Sequence, residues 1–181
     1  MMKIPKTILP GLLLICAACG DKPPAKPAIA PAASPSPMPA ISRPVSSADV
    51  VKASVADIEV GAGKAGEAQV QLSISTGYHV NANPATFPYL IATAVEAGAS
   101  NGITMGKPIY PAAAMKTFSF EKQQPLAVYE GVAGIKLPVQ AAADAAKGQR
   151  TVPLKVRVQA CDDAACYAPA TLEIPLRLTV K

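Results

Sequence analysis

The sequence predicts an all-β domain built as a two-sheet antiparallel sandwich. Three observations lead to this prediction. Apolar residues alternate with polar ones in several short segments, glycine, proline and asparagine separate these segments, and no stretch keeps a long helical period. Short half-buried strands joined by such turns are typical of antiparallel sandwiches.

The alternating segments share an apolar face of valine, leucine or isoleucine. They are residues 55–60, 68–75, 135–139, 151–160 and 171–181. In the second segment, Val70, Leu72 and Ile74 point to one side and the polar residues between them point to the other. We expect each segment to be a strand with one buried face. Residues 141–147 are predicted to form a single helical turn or a loop.

Residues 1–18 are predicted to be a lipoprotein signal peptide. Lys3 and Lys6 make its start basic, and the apolar stretch at 8–15 is too short for a permanent membrane span. Small residues then precede Cys19, and this junction resembles a bacterial lipobox with Cys19 as the lipidated residue. Cys16 stands where a lipobox usually has leucine. A plain secretory signal cut elsewhere is the alternative.

Residues 19–47 are predicted to be the lipidated Cys19 followed by a disordered tether. Proline, alanine, serine and lysine nearly fill this stretch, which therefore cannot bury enough apolar surface to offset chain entropy. The folded domain is predicted at 48–181. Because Gly20 and Asp21 do not form a clear inner-membrane retention signal, we expect a periplasmic protein anchored in the outer membrane.

The charge balance excludes a nucleic-acid-binding protein. The formal net charge is +5, and loss of Lys3 and Lys6 with the signal leaves 15 basic against 12 acidic residues, or +3. The sequence contains no run of lysine or arginine that would follow a phosphate backbone. We expect a monomer without a cofactor.

Two cysteines remain for the mature domain. Cys16 leaves with the signal and Cys19 carries the lipid, so Cys161 and Cys166 are left in an oxidising compartment. They lie at the mouth of a hairpin between the last two predicted strands, where their Cα atoms are expected within disulfide range. Cys161 also continues the outward-facing series of 151–160, which predicts that its sulfur lies at the surface.

The residues alone leave three interpretations of this pair open. A structural disulfide would staple the hairpin, but closing so short a loop contributes only about 2 kcal/mol. A short exposed bridge suits thiol exchange better, because access and strain raise its reduction potential. A metal site is the third interpretation, in which His79, the only histidine, and Met105 or Met115 would join the cysteines. We expect no metal.

A succession of short motifs resembles the N-terminal periplasmic domain of the thiol:disulfide interchange reductase DsbD. The motifs are GYHVNANP at 77–84, PYL at 88–90, FSF at 118–120, VYEG at 128–131 and VQACDDAACYAP at 158–169. The last of them is the most specific, and the resemblance covers roughly residues 51–180. It implies an immunoglobulin-like sandwich with the two cysteines as its active site.

The resemblance also implies roles for individual residues. Cys166 would form the mixed disulfide with a partner, and Cys161 would resolve it. A cap loop would correspond to about 115–129, with Phe118 or Phe120 shielding the cysteines from stray oxidants. From the residues alone, both phenylalanines are equally well explained as core.

Three further residues are expected near the site. His79 and Asn81 match positions where some relatives have tyrosines beside the cysteines, and Tyr167 directly follows Cys166. From the residues alone, His79 and Asn81 are equally well explained as an ordinary strand surface.

The function implied by the resemblance is a relay of reducing equivalents. Its partners would be periplasmic thioredoxin-like proteins or disulfide isomerases, including those of cytochrome c maturation. The parent reductases continue into a membrane domain and a thioredoxin domain, whereas this sequence ends at Lys181. We therefore expect a thiol:disulfide interchange component without its own electron source. The alternative is a non-catalytic immunoglobulin-like binding module with a structural disulfide.

Overall fold

The structure, a computed structural model, describes residues 46–181. The predicted signal peptide, Cys19 and nearly all of the predicted tether lie outside these residues. The described part begins with a one-turn 3-10 helix, Ser47–Asp49. Its strands are β1 (Val51–Val55), β2 (Ile58–Val60), β3 (Ala65–Ile74), β4 (His79–Asn81), β5 (Ala94–Ala97), β6 (Ile103–Met105), β7 (Ala114–Phe118), β8 (Glu121–Tyr129), β9 (Val132–Ala141), β10 (Gly148–Val158), β11 (Ala160–Cys161) and β12 (Ala170–Val180).

The strands form an immunoglobulin-like antiparallel β-sandwich, as predicted. Its two sheets have the strand orders β1-β3-β9-β6 and β2-β12-β10-β5. A third sheet, also of four strands, has the order β11-β4-β8-β7. Within the described strands the paired neighbours are antiparallel, except that β2 runs parallel to β12.

The core is made by the alternating faces that the sequence shows. Buried side chains from both sandwich sheets form one continuous cluster. In β3 the residues Val70 and Leu72 are fully buried, and in β10 the same holds for Leu154 and Val156. Each such side chain contributes about 1.5–3 kcal/mol when it is removed from water, so these two strands anchor the fold.

One predicted segment differs in the structure. The alternation at 55–60 is two strands rather than one, because Ala56 and Asp57 carry the chain from the sheet of β1 to the sheet of β2. The segment 141–147 follows from the end of β9 as a loop with a turn at Ala143 and Asp144, which is one of its two predicted forms. The third sheet has no predicted counterpart.

The start of the domain is tied to its far end. Ser47, one residue before the predicted start of the domain at 48, is fully buried. Its hydroxyl donates a hydrogen bond to the carbonyl of Ala168 and accepts one from the backbone N–H of Ala160, both at 2.8 Å. Ser46 pairs in parallel with Ala168. These contacts join the first described residues to the chain on either side of the two cysteines.

Within residues 46–181, no helix is long and apolar enough to cross a membrane.

Candidate functional site

The two cysteines form a disulfide within a small hairpin of their own. The S–S bond is 2.05 Å long and the Cα atoms lie 3.9 Å apart. Cys161 and Cys166 are an antiparallel bridge pair, flanked by hydrogen bonds from Tyr167 N to Ala160 O at 2.8 Å and from Asp162 N to Ala165 O at 2.9 Å. The hairpin lies in the connection between β10 and β12.

The two sulfur-bearing residues differ sharply in burial. Cys161 is 1% exposed, whereas Cys166 is exposed. The prediction that Cys161 lies at the surface is therefore wrong. The regular ladder of β10 ends at Val158, and from Ala160 the chain pairs with β4 in the third sheet instead. This change of partner sheet turns Cys161 inward, so the alternation of β10 no longer describes it.

Asp162 shapes the loop between the cysteines. Its carboxylate accepts hydrogen bonds from the backbone N–H groups of Ala164 and Ala165, both at 2.8 Å, as in an Asx-type turn. The hydroxyl of Tyr167 donates a further hydrogen bond to the same carboxylate. Tyr167 also contacts the ring of Tyr78, with centroids 5.9 Å apart. Tyr167 therefore supports the loop that holds Cys166.

His79 lies directly beside the disulfide in the sheet. It is the register partner of Cys161 in the antiparallel pairing of β4 with β11. His79 is 2% exposed, so its expected alternative as an ordinary strand surface does not hold. Its imidazole stacks on the ring of Phe118, with centroids 4.0 Å apart and planes at 17°.

Asn81 is also buried, but it contacts the neighbouring loops rather than the sulfurs. Its side-chain amide donates hydrogen bonds to the carbonyl of Ile91 at 3.1 Å and to the side chain of Gln159 at 3.3 Å. Gln159 bridges the end of β10 and the start of β11. Asn81 thus fixes the point at which the chain leaves β10 for the third sheet.

The stretch expected to be a cap loop is a β-hairpin made of β7 and β8. Its register shifts between Lys116 and Phe118, and such an irregularity re-aims side chains. Phe118 is 6% exposed, while Phe120 at the tip is 41% exposed. At the same tip the hydroxyl of Ser119 donates a hydrogen bond to the carbonyl of Asp163, between the cysteines. We call residues 114–129 the cap hairpin.

The cap hairpin has a small apolar cluster of its own. Phe118, Leu126 and Val128 are buried together, and Phe87 and Leu90 pack against them. This cluster is separate from the main core, which the cap hairpin joins through Tyr129 at the end of β8. Phe118 joins the cluster to His79.

A polar cavity of about 410 Å³ opens beside His79. Its lining includes Lys116, Glu130 and Asp163, and Lys116 forms an ion pair with Glu130. Burial lowers the pKa of His79 below its ordinary value of 6.5, and the carboxylates of Glu130 and Asp163 oppose this shift only in part. The imidazole is therefore neutral at neutral pH.

The sequence-based search missed three residues of this region. Ser47 lies 113 residues before its hydrogen-bond partner Ala160, and no local pattern indicates such a contact. Lys116 reaches the cavity from β7, and Glu130 reaches it from the position after β8. The motif VYEG contains Glu130, so a closer comparison of the motifs could have indicated that residue.

The metal interpretation gains no ligand set in the described part of the chain. No group of three or more histidine, cysteine, aspartate or glutamate side chains among residues 46–181 is arranged to hold a metal ion. Met105 is in β6 and Met115 is in β7, which belong to different sheets.

A family comparison identifies the domain that carries this site. The family model described as "Thiol:disulfide interchange protein DsbD, N-terminal" matches residues 47–178, which is most of the chain. The chain belongs to this family. The matched range includes the DsbD N-terminal motif around Cys161 and Cys166 together with the cap hairpin. A comparison with curated proteins finds no significant match.

Several solved structures are similar to this DsbD N-terminal domain. The reduced DsbD N-terminal domain of Neisseria meningitidis is 19% identical, with a TM-score of 0.42 over 60% of this chain and 74% of that chain. The N-terminal periplasmic domain of ScsB from Proteus mirabilis is 7% identical, with a TM-score of 0.49 over 72% and 47%. A complex between the DsbD N-terminal and PilB N-terminal domains of Neisseria meningitidis gives 17% identity, a TM-score of 0.41, and coverage of 60% and 73%.

Proposed function

We propose that this DsbD N-terminal domain relays reducing equivalents in the periplasm by exchanging its Cys161–Cys166 disulfide with thioredoxin-like proteins. The observation that carries the proposal is the unequal burial of the pair. Cys166 is exposed, whereas Cys161 is 1% exposed. A partner thiolate can therefore reach only one sulfur, which is what an ordered exchange requires, because the attacked sulfur must be accessible.

The exchange proceeds through a mixed disulfide. A partner thiolate attacks Sγ of Cys166, and the electron pair of the broken S–S bond passes to Sγ of Cys161. A second thiolate of the partner then attacks the partner sulfur that is bonded to Cys166, and Cys166 leaves as a thiolate. Two electrons and two protons have then reached the pair, and the partner holds a disulfide. The same steps in reverse reduce the disulfide of a second partner.

Phe118 is the proposed shield of the pair. It is buried against His79, whereas Phe120 stacks on its outer side with centroids 5.4 Å apart. The contact of Ser119 with the loop between the cysteines holds the tip of the cap hairpin over that loop. Opening of the cap hairpin would expose the pair further and give a partner protein more room beside Cys166. His79 would support the site by stacking on Phe118. Asn81 would do so through its hydrogen bonds to Ile91 and Gln159, and Tyr167 through its hydrogen bond to Asp162.

We also propose that a lipid on Cys19 anchors the domain, at the outer rather than the inner membrane. Residues 1–18 would be the signal peptide and residues 19–47 the tether, as the sequence indicates. Partners would then be periplasmic thioredoxin-like proteins or disulfide isomerases. Direct membrane fractionation of the full chain and of a Cys19→Ala variant tests the anchor.

The relay is tested by trapping its intermediate. In a Cys161→Ala variant of the full chain, Cys166 can form a mixed disulfide that no internal thiol resolves. We expect this variant to accumulate covalent complexes with thioredoxin-like proteins in periplasmic extract, visible on non-reducing gels and lost on reduction. Mass spectrometry of the complexes identifies the partners.

The matched control is Cys166→Ala, which keeps the buried sulfur and removes the exposed one. We expect it to capture nothing, because a partner cannot reach Cys161. Equal capture by both variants would contradict the proposed order of attack. Capture by neither, together with a reduction potential below about −300 mV, would favour a binding module with a structural disulfide.

A further inference from the structure

The buried sulfur has a titratable neighbour across the sheet. His79 and Cys161 are opposite each other in the antiparallel pairing of β4 with β11. Side chains of directly opposed residues emerge on the same face, with Cβ atoms about 4.5–5.5 Å apart. The imidazole and the sulfur therefore belong to one row of side chains beneath the cap hairpin.

In the tautomer with its proton on Nδ1, the neutral imidazole has an unused acceptor at Nε2. Nε2 of His79 is buried and has no hydrogen-bond partner among the described residues. A buried polar atom without a partner costs about 1–3 kcal/mol, so its retention needs a reason. The disulfide cannot provide a hydrogen for it. A thiol on Cys161, which exists only after the disulfide opens, could do so.

Because Cys161 is buried, its thiol needs a nearby base to become a thiolate. The thiolate, not the thiol, attacks a disulfide, and burial in apolar surroundings raises the pKa of a thiol above its ordinary value near 8.5. Cys161 is 1% exposed, so water has little access to its proton. A resolving thiol in this position needs a base inside the site.

We propose that His79 is the general base that deprotonates Cys161 when Cys161 resolves the mixed disulfide. This inference rests on the proposed relay function and assigns the proton transfer within it. His79 accepts the proton from Cys161, and the resulting thiolate attacks Sγ of Cys166. The bond between Cys166 and the partner breaks, and its electron pair leaves on the partner sulfur as a thiolate. The proton passes from His79 to solvent through the adjoining cavity.

The groups around His79 suit this role. Glu130 follows β8 at the position that continues the pairing of β4 with β8, on the side of His79 away from Cys161. It would stabilise an imidazolium, as would Asp163 and, more weakly, Asp162, while Lys116 opposes it. Burial keeps the imidazole neutral in the resting state, which leaves it ready to take up a proton.

The test separates the two chemical steps with a small chromophoric disulfide, 5,5′-dithiobis(2-nitrobenzoate). The full chain carries Cys16→Ala and Cys19→Ala, so that only Cys161 and Cys166 react. In the reduced protein, attack by Cys166 releases a first nitrothiobenzoate, and resolution by Cys161 releases a second. Stopped-flow absorbance from pH 5 to pH 8 follows both phases.

We expect His79→Phe to leave the first phase within about twofold and to slow the second by about 100-fold, the usual size of a lost general base. The substitution keeps a ring to stack on Phe118. The second phase of the unsubstituted chain should level off above the pKa of His79. In His79→Phe it should instead rise about tenfold per pH unit, because only the thiolate fraction of Cys161 then reacts.

Two further variants serve as checks. His79→Gln retains hydrogen-bonding capacity without basicity, and we expect it to slow the second phase as His79→Phe does. Tyr110→Phe removes a hydroxyl that accepts a hydrogen bond from Val95 in the sandwich, and we expect both phases to be unchanged. The pH profile of the unsubstituted chain tests the proposal without any variant. The proposal can therefore be refuted even if a variant does not fold.

The outcomes distinguish the role of His79 as a base from the proposed relay function. If His79→Phe and His79→Gln resolve at the unsubstituted rate, or if the unsubstituted second phase rises tenfold per pH unit up to pH 8, His79 is not the base and the relay stands. If the reduced chain releases nitrothiobenzoate without closing the Cys161–Cys166 disulfide, the relay itself falls.

Discussion

At the scale of single residues, His79 lies beside the disulfide and makes the free energy of unfolding depend on pH. It is buried and unpaired at Nε2, and burial lowers its pKa in the folded chain. The unfolded chain, in which the pKa is near 6.5, binds a proton more readily. Folding therefore loses stability as the pH falls below 6.5, until the pKa of the folded state is passed. The contribution of His79 is complete above pH 6.5.

This linkage gives a measurable pH dependence. We expect the free energy of unfolding of the disulfide form to fall from pH 7 to pH 5.5, with a slope of at most about 1.4 kcal/mol per pH unit from this residue. Urea denaturation across this range measures it. In His79→Gln the slope should be smaller, and an unchanged slope would show that another group titrates. Since His79 is the only histidine, its NMR titration reports the pKa directly.

At the scale of elements, the cap hairpin holds the site through Phe118. This side chain is buried between His79 and the small cluster of Leu126 and Val128. We expect Phe118→Ala to cost about 3 kcal/mol of unfolding free energy, as for a buried phenylalanine. We also expect the disulfide to be reduced severalfold faster by dithiothreitol, because the cap hairpin then covers it less well.

Phe120→Ala is the matched control for this prediction. Phe120 is 41% exposed and stacks only on the outer side of Phe118. We expect a loss of less than about 1 kcal/mol, as for most surface substitutions, and a smaller change in the reduction rate. If Phe120→Ala accelerates reduction more than Phe118→Ala does, the outer ring is the shield.

The elements also show what the sequence could predict. Strands β3, β10 and β12 follow regular alternation because each buries one face, and the sequence displays that period directly. The third sheet lacks this signal. Strand β4 has three residues, all buried, and β7 is exposed until Phe118. Their placement depends on long-range pairing, which local patterns do not record.

The functional site shows the same difference between local sequence patterns, which can be predicted, and long-range pairing, which cannot. The motif around Cys161 and Cys166 identified the pair, and the structure joins them in a disulfide. The exposure of Cys161 was predicted wrongly because the alternation of β10 was continued past Val158. A change of sheet at Gln159 depends on a partner strand nearly 80 residues earlier, as the hydrogen bond from Asn81 to Gln159 illustrates.

At the scale of the whole molecule, Ser47 connects the start of the domain to the hairpin that holds Cys161 and Cys166. Its hydroxyl bonds to Ala160 and Ala168, on either side of the cysteines. Ser47→Ala would leave the buried N–H of Ala160 without that acceptor. We expect a loss of about 1–3 kcal/mol in unfolding free energy, measured by urea denaturation of the disulfide form.

Ser73→Ala is the control for the loss of a serine hydroxyl. Ser73 is exposed on β3, and we expect a change within about 0.5 kcal/mol. A loss of similar size for both serines would contradict a special role of Ser47.

The parallel pairing of Ser46 with Ala168 has a mechanical consequence. A force applied to the chain before Ser46 would act on this pairing first and on the sandwich core only afterwards. Ala168 lies two residues after Cys166, so the load is applied next to the exposed sulfur. The hairpin of Cys161 and Cys166 would therefore bear force that is applied to the domain through the preceding chain.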